Sequence, residues 1–495
     1  MTAKFNWIKI AVPLLLIGSV QLSEAPAAAV DSDYSGGTLT GGLILQPGSA
    51  GIRFTGDTAV TGSTNIASGP GVNNEAHIFH LTNQTGPATI EKGASVTVNG
   101  GGSITQAFNS SLLVEGSLDI RNTSGNVYLG TTPAMTGTAQ SALLKVTGDL
   151  YIESPGVIRV SSNASGAGTG KDAFWTYNIV VDGGNFTINS TGNGSNYSNL
   201  YFGTRNYLNV DILNGGTMLL KTTDKNRLHF CGGGSSFNGS ENKKVVFNIE
   251  DGDLVLDSGE GRDIQMGMSA VSGDHTRRVE FHIGEKGTLT LDENLMFGTV
   301  SGSTPIGTAL IDFDGGTLYA KEDAITLDSR IEIAFASESA IQVDETLTIG
   351  SAIQGSAGAV LSKLGAGTLV FSDADEFHGS IGIHEGALAL NDTTLALEDL
   401  SMLLETSLIL DGDVSLTAET FLGEDGEFSL LWENEELYEI SADLANLLTY
   451  SGNGIFTFTG AKENIPEPAS AILMLIGSGW LCFQFSRKTT KHSII

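Results

Sequence analysis

The stretch LLKVTGDLYIES, which runs from Leu143 to Ser154, decides the fold. Apolar and polar residues alternate up to Gly148, and the alternation resumes after it. A period of two is typical of β-strands with one face in a core. A glycine between two such runs indicates a turn. The segment therefore predicts two short strands joined at Gly148.

The same pattern recurs along the chain. Six other segments contain a strand, a glycine and a strand: LLVEGSLDIR, NIVVDGGNFTINS, NVDILNGGTMLLKT, VVFNIEDGDLVLDS, VEFHIGEKGTLTLD and ALIDFDGGTLYAKE. The turn glycines of all seven segments are Gly116, Gly148, Gly184, Gly216, Gly252, Gly287 and Gly316. They follow one another at about 33 residues. Shorter strand-like runs that end in glycine, such as NLYFGT and ENLMFGT, lie between them. One period therefore predicts about three strands and a variable polar loop.

A repeat of this length predicts an all-β solenoid. One period has too few apolar residues for a core of its own, whereas stacked periods align Val, Ile, Leu and Phe into a continuous interior. Glycine and asparagine are expected at the bends, where a positive φ is often needed. A β-sandwich is the alternative, although sandwiches do not repeat their sequence at a steady spacing. We expect the solenoid to occupy the repeat region, residues 30–398, with strands from about residue 36.

A second motif lies late in the repeat region. The stretch KLGAGTLVFSDADEFHGSIGIHEGALAL, Lys363 to Leu390, resembles the autotransporter-associated β-helix repeat. Its opening residues carry the match: Lys363, Gly365, Gly367, Thr368 and Leu369, followed by Ser372, Phe377, Gly379, Gly386 and Leu388. The resemblance implies a right-handed parallel β-helix.

The pattern changes after the repeats. Residues 399–463 still begin with strand-like runs, but NEELYEISADLANLL places Leu437, Ile440, Leu444 and Leu447 at helical spacing. We interpret this region as a short cap with a helix. The open end of a solenoid needs such protection, because an exposed strand edge invites aggregation.

The N-terminus predicts export. Lys4 and Lys9 precede an apolar stretch from Ile10 to Val20, and an A-x-A cleavage pattern follows at residues 27–29. Residues 1–29 are therefore a predicted signal peptide, with cleavage after residue 27 as the near alternative.

The C-terminus predicts a membrane anchor and a sorting signal. The triplet Pro466, Glu467, Pro468 precedes an uncharged, mostly apolar run from 469 to 485. Seventeen helical residues span about 25 Å, near the lower limit for a bilayer core. The alternative is a buried core helix. Three basic residues then predict a stop to translocation: Arg487, Lys488 and Lys491.

This tail, residues 464–495, resembles the PEP-CTERM sorting signal of Gram-negative-type bacteria. The triplet, the apolar run and the basic residues carry the resemblance. It implies one C-terminal transmembrane helix and an exosortase-type membrane protease as partner, which cuts near the triplet. The chain would then be membrane-anchored before processing and located at the cell surface or in the extracellular matrix afterwards.

Composition restricts the remaining functions. The formal net charge is −31, with 64 glycines and only 10 prolines among 495 residues. Such an acidic surface repels phosphate backbones, so nucleic acid is not an expected partner. Of the two cysteines, Cys482 lies in the apolar run and Cys231 in the body, so no disulfide is expected.

Candidate chemical groups are few. Three acidic pairs lie beside turn glycines: Asp251 with Asp253, Asp312 with Asp314, and Asp411 with Asp413. Aspartate is favoured at turns for its side-chain hydrogen bonds, and we expect that role. His77 and His80, three apart on a strand, should point to opposite faces and form no metal site. Cys231 is expected to be a small buried side chain rather than a nucleophile. No cofactor is expected.

Two functions are open at this point. The first is a non-enzymatic structural or adhesive surface protein that contacts extracellular polysaccharide. The alternative is a secreted polysaccharide lyase or glycoside hydrolase of β-helix fold. A cluster of three or more charged side chains on one face of adjacent repeats would favour the enzyme, and the sequence shows no such set at matched positions.

Overall fold

The computed structural model describes residues 32–45, 50–65, 76–81, 86–107, 110–131, 140–160, 175–192, 200–203, 207–223, 226–231, 243–259, 261–266, 277–297, 307–321, 324–372, 374, 376–403, 406–411, 414–423, 428–432, 436–440 and 455–458. Every regular element in these ranges is a β-strand. The predicted all-β class is therefore confirmed for the described residues. The chain divides into two compact units. Unit 1 comprises Met1–Val279 and Phe297–Gly307, and unit 2 comprises Glu280–Met296 and Thr308–Ile495.

The strands up to residue 266 belong to unit 1. They are β1 Ser32–Tyr34, β2 Gly37–Thr40, β3 Leu43–Leu45, β4 Ile52–Phe54, β5 Thr58–Thr61, β6 Thr64–Asn65, β7 Ala76–Leu81, β8 Ala88–Ile90, β9 Ser95–Gly101, β10 Ser103–Ala107, β11 Ser111–Val114, β12 Ser117–Ser124, β13 Val127–Thr131, β14 Gln140–Val146, β15 Asp149–Ser154, β16 Ile158–Val160, β17 Trp175–Asp182, β18 Asn185–Ser190, β19 Leu200–Phe202, β20 Tyr207–Leu213, β21 Gly216–Thr222, β22 Leu228–Phe230, β23 Lys243–Asp257 and β24 Ile264–Met266.

The later strands belong mainly to unit 2. They are β25 Arg277–Leu291, β26 Leu295–Phe297, β27 Thr308–Asp314, β28 Thr317–Ala320, β29 Ala324–Leu327, β30 Ile331–Phe335, β31 Glu338–Val343, β32 Thr346–Ile349, β33 Ile353–Gly355, β34 Val360–Leu364, β35 Thr368–Phe371, β36 Ser380–Ile383, β37 Ala387–Asn391, β38 Thr394–Met402, β39 Ser407–Asp411, β40 Ser415–Gly423, β41 Phe428–Trp432, β42 Glu436–Ile440 and β43 Ile455–Phe458.

In unit 1, strands pair in parallel with the strand three places further along the chain. β11, β12 and β13 pair with β14, β15 and β16, which pair in turn with β17, β18 and β19. The set β20 to β22 continues this order, and β20 and β21 both pair with the long strand β23. We call each set of three strands a coil. Parallel pairing of successive coils is consistent with the predicted β-solenoid.

Unit 2 begins with the same order, and from β34 onward each strand pairs with the strand two places further along the chain. β27 and β28 pair in parallel with β30 and β31, and β29 pairs with β32. The parallel series then continues through β35, β37, β39 and β41 on one side. Unit 2 is thus also an arrangement of parallel coils.

Aligned apolar columns form the interior of each unit. In unit 1, Val146 pairs with Val181, and Ile212 pairs with Ile249 in the same column. In unit 2, Leu347, Leu369, Leu388 and Leu408 follow one another in the same way. All are buried, with at most 2% of their surface exposed. The inward half of each alternating strand therefore builds the core, as the pattern predicted.

The turn glycines are required by close approach rather than by positive φ. A Cβ on Gly148 would lie 2.0 Å from the Gly116 carbonyl oxygen, and one on Gly184 would lie 2.4 Å from that of Gly148. Neither residue has a left-handed φ, whereas Asn214 and Gly215, just before a turn glycine, have φ of 53° and 77°. The expectation of positive φ therefore holds just before Gly184, Gly216 and Gly316, and not for these three glycines themselves.

The repeat length differs between the units. Val146, Val181 and Ile212 in unit 1 are separated by more than 30 residues, as predicted. In unit 2, Leu369 pairs with Leu388 and Leu388 with Leu408. The steady period of about 33 residues is wrong here, because these coils are about 20 residues long. The stretches of sequence between their strands are shorter than the polar stretches between strands of unit 1, such as residues 232–242.

The helix predicted near the C-terminus is wrong for its first part. Residues 436–440 form β42, which pairs antiparallel with β41. A ladder to the neighbouring strand satisfies the backbone groups of both strands and overrides the weak helical spacing. Leu444 and Leu447 lie outside the described residues. The predicted division at residue 398 lies inside β38, which pairs in parallel with β36 and β40.

The described residues contain no helix long and apolar enough to cross a membrane. The predicted signal peptide, the apolar run at 469–485 and the sorting triplet all lie outside the described residues.

Candidate functional site

The sorting residues predicted from sequence lie beyond the part of the chain that the structure describes. They are Pro466, Glu467, Pro468, Arg487, Lys488 and Lys491. The tail therefore stays a prediction, and the site must be sought on the coils.

The repeat-motif residues occupy one corner of unit 2. Lys363 is the second-last residue of β34, and Thr368 and Leu369 are the first two residues of β35. Gly365 and Gly367 lie between these two strands. A Cβ on Gly367 would lie 2.3 Å from the Glu345 carbonyl oxygen of the preceding coil. The motif glycine thus permits close stacking of two coils.

The candidate aspartates are mostly dispersed. Asp253, Asp314 and Asp411 are exposed, and Asp413 lies outside the described residues. Asp314 accepts a hydrogen bond of 3.4 Å from the Ser337 hydroxyl, 23 residues further along the chain, so this contact joins two turns and is not a bond within the Asp314 turn. Asp251 is half-buried in β23.

Asp312 belongs to a cluster that the sequence did not reveal. Its carboxylate lies 3.1 Å from Nδ1 of His282, and the Nε2 atom of the same ring lies 3.1 Å from the Glu280 carboxylate. Glu280 is buried, with 7% of its side chain exposed, whereas His282 and Asp312 are about one-third exposed. Three ionisable side chains therefore meet on one outer face of unit 2.

The geometry of this cluster limits its chemistry. Both ring nitrogens of His282 already face a carboxylate, so neither is directed towards a substrate. Among the described residues, no group of three His, Cys, Asp or Glu side chains could hold a metal ion. The arrangement fits a polar cross-link, which we call the acid–His cluster.

The predicted histidine pair and the cysteine lie in unit 1. His77 is opposite Ser103 and His80 is opposite Thr105, with an irregularity in the register between them. The His80 side chain lies outside the part of the chain that the structure describes, so the expectation that the two histidines form no metal site stays a prediction. Cys231 is fully buried, as predicted, and its Sγ lies 3.8 Å from the Arg278 carbonyl oxygen.

A stacked column of outward side chains runs along the third strands of unit 1. We call it the aromatic ladder, and in register order it contains Tyr128, Arg159, Tyr201, His229 and Gln265. The Arg159 guanidinium carbon lies 5.9 Å from the ring centres of both tyrosines. The Tyr201 and His229 rings stack at 4.9 Å with 14° between their planes.

The ladder is largely enclosed. His229 is 2% exposed, and neither ring nitrogen has a hydrogen-bond partner among the residues that the structure describes. Burial, with a smaller contribution from the Arg227 charge, lowers the pKa of His229 to about 3, so the ring is neutral. Both faces of Tyr201 are covered, by Arg159 on one side and His229 on the other. The ladder therefore joins coils and leaves no Tyr201 ring face for a sugar.

Polar side chains on the second strands of unit 1 form another column. We call it the polar ladder, and it contains Arg121, Glu153, Asn189, Lys221 and Asp257. Tyr151 donates a hydrogen bond to Glu153, and Asn189 donates to the same carboxylate at 3.4 Å. Lys221 forms an ion pair with Asp257 in the next coil.

Hydrogen bonds between polar side chains of unit 1 also shift the pKa values of two residues, Asp182 and Tyr151. Lys145 and Asn214 both donate hydrogen bonds to Asp182, at 2.8 and 2.6 Å, and these lower the pKa of Asp182, Lys145 most strongly. Burial raises the pKa of Tyr151, and its hydrogen bond to Glu153 adds to the effect. Lys145, Asp182 and Asn214 come from three successive coils, so the charge contacts run along the stack.

Sequence reasoning missed all three sets. Each residue taken alone is an ordinary outward position of an alternating strand. Aligning the segments on their turn glycines would have found the polar ladder, since Arg121, Glu153 and Asn189 each follow such a glycine by five residues.

Comparison with known proteins adds no relative. No protein-family model, no curated protein and no solved structure matches the chain.

Proposed function

We propose that this chain is an exported structural or adhesive protein of the bacterial cell surface. The observation that carries the proposal is the pairing of the outward side chains with one another. The aromatic ladder and the polar ladder connect successive coils of unit 1. The acid–His cluster connects β25 and β27 in unit 2. Side chains engaged in this way stabilise a stack of coils, which suits a load-bearing or display role.

The finer architecture belongs to this proposal. The coils would wind as a right-handed parallel β-helix, the handedness implied by the motif at Lys363 to Leu390. A cap at residues 399–463 and one transmembrane helix in the tail complete the arrangement. Pairing of β42 with β41 supports a cap, because it covers one edge of β41.

The expected partners are an exosortase-type membrane protease and extracellular polysaccharide. Proline fixes φ and lacks an amide donor, so Pro466 and Pro468 would keep the cleavage segment extended at the membrane surface. The net charge of −31 argues against nucleic acid. No cofactor forms part of the proposal.

Processing of the tail tests export and sorting. The native host would produce the wild-type chain and a Pro466→Ala/Pro468→Ala variant, and fractionation with intact-mass measurement would follow. We expect a released wild-type form that lacks residues 469–495 and a variant that stays in the membrane fraction. A Pro155→Ala variant controls for loss of proline elsewhere and should be processed normally. A wild-type chain that always retains residues 469–495 would make the tail a permanent anchor.

Binding tests the adhesive role. The released wild-type chain should be retained by extracellular polysaccharide isolated from the host, without any change in the length of the polysaccharide. Passage through such a column without retention would contradict adhesion to polysaccharide.

A second function, a β-helix lyase or glycoside hydrolase, is favoured by one observation, the acid–His cluster. If the cluster is catalytic, the chain should shorten acidic or neutral polysaccharides. The Asp312→Asn variant should then lose this cleavage activity while its circular dichroism spectrum stays that of the folded chain. Asp314→Asn is the matched control, because Asp314 is exposed and contacts only Ser337 among the hydrogen bonds described here. We expect no turnover by any of the three chains.

A further inference from the structure

Lys363 places a charged side chain in an apolar column of unit 2. In the parallel register, Lys363 is opposite Ile341 of the preceding coil and opposite Ile383 of the following coil. Both isoleucines are buried, and Lys363 itself has no exposed surface. A buried ammonium is costly unless hydrogen bonds replace its hydration.

Three backbone carbonyls replace that hydration. The Lys363 Nζ donates to the carbonyl oxygens of Leu364 at 3.0 Å, Gly365 at 2.6 Å and Glu385 at 2.9 Å. An ammonium has three N–H donors and no acceptor, so each donor has one partner. Leu364 and Gly365 belong to the coil of β34, whereas Glu385 belongs to the next coil.

The corner backbone is held in place independently of the lysine. Gly365 has a φ of 79°, and a Cβ there would lie 2.4 Å from the Val343 carbonyl oxygen. The amide of Gly365 donates to the Glu385 carboxylate at 3.2 Å. Glycine conformation and this hydrogen bond therefore direct the carbonyls towards one point.

We propose that these three carbonyls form a binding site for a compact monovalent cation, and that the Lys363 ammonium is the cation that occupies it. Rings of backbone carbonyls that replace a hydration shell are the arrangement by which proteins bind potassium. The site joins two coils at the corner, and no part of the proposed surface function depends on it. Burial lowers the pKa of Lys363 to about 8, so the side chain is still mostly charged at pH 7.

Removing the lysine should turn the site into one for a free cation. In the full-length Lys363→Ala variant at pH 7, thermal unfolding would be followed in choline chloride, with ammonium or potassium chloride replacing choline at constant ionic strength. We expect a lower midpoint than in wild type, and a saturable rise with ammonium or potassium that recovers at least half of the loss. Wild type should show no saturable rise.

Lys363→Met is the matched control. Its side chain fills the same space with apolar atoms and leaves no room for an ion, so its midpoint should not respond to the exchange of cations. Equal responses of the Ala and Met variants would overturn the proposal, because they would show a general salt effect.

Wild type provides a test if the Ala variant does not fold. With lysines labelled with ¹⁵N, the Lys363 ammonium should exchange its hydrogens with water at least about tenfold more slowly than the ammonium of Lys286, which is exposed. The Lys363→Met spectrum assigns the signal. Exchange as fast as that of Lys286 would show that the carbonyls do not enclose the ammonium.

Discussion

Glycine at the turn positions of unit 1 is a matter of space. The Gly148 and Gly184 backbones approach the preceding turn so closely that a methyl group at either position would overlap a carbonyl oxygen. In each case the overlapping atom belongs to backbone, which cannot rotate away as a side chain can. The absence of a Cβ atom at these glycines therefore allows successive turns to stack at this short distance.

We predict that Gly148→Ala lowers the free energy of unfolding by about 3 kcal/mol, the upper range for overpacking. Urea denaturation followed by circular dichroism measures the change. Gly350→Ala is the control, because a Cβ there would meet only the Ser372 hydroxyl at 3.5 Å, an ordinary contact distance. Equal stability of the two variants would contradict the close-approach explanation.

Lys363 should give unit 2 a distinct alkaline pH dependence. Its pKa is lowered from 10.5 to about 8 in the folded chain. Between these values the unfolded chain binds the proton more often than the folded chain, so the free energy of unfolding rises with pH. Relative to Lys363→Met, wild type should gain at most about 3 kcal/mol from pH 8 to pH 10.5. A constant difference across this range would contradict the lowered pKa. Lys286→Met, an exposed change, should behave like wild type.

At the scale of the strands, side chains in register make the contacts that matter. In the aromatic ladder, β13, β16 and β19 each contribute one outward side chain, and the cation of Arg159 is placed between two tyrosine rings. A desolvated cation–π contact contributes more than an exposed one, because water does not compete for the cation.

We therefore expect Arg159→Ala to lower the free energy of unfolding by about 2 kcal/mol. Arg121→Ala is the comparison, since Arg121 lies 5.1 Å from the Tyr151 ring but is 55% exposed, and its loss should lower the free energy of unfolding by clearly less than that of Arg159. Chemical denaturation of both variants measures the difference. A larger effect at Arg121 would show that burial does not govern these contacts.

Strand pairing also explains the error at residues 436–440. The spacing of Leu437 and Ile440 suits a helix, yet the segment follows β41 closely enough to pair with it antiparallel. Local spacing is a weak prior, and pairing with the second edge of β41, whose first edge pairs with β39, outweighs it.

At the scale of a whole unit, the strands of each coil form their ladders with the strands of the coils beside it, and a few side chains reach further, as the Tyr177 hydroxyl does when it donates to Gln106 at 2.8 Å. Stability of such a stack is a sum of coil terms and neighbour terms, so damage should remain local. In Gly148→Ala, hydrogen exchange measured by mass spectrometry should accelerate most in β11 to β18 and least in β1 to β5. Uniform acceleration across the described strands of unit 1 would show that the unit opens as one cooperative body.

The sequence by itself determined the all-β class, the parallel order of about three strands per coil in unit 1 and most of the inward residues, because alternation and a recurrent glycine are local signals. It also located the glycines between strands at Gly116, Gly148, Gly184 and Gly316, whereas the turns predicted at Gly252 and Gly287 are wrong, because these residues lie inside the continuous strands β23 and β25. Only the tertiary structure decided which polar side chains meet which partners: Glu280 with His282 and Asp312, Tyr128 with Arg159 and Tyr201, and the inward Lys363 with three carbonyls. These contacts depend on the register between coils and on loop lengths that vary along the chain, and a single sequence encodes neither as a local pattern.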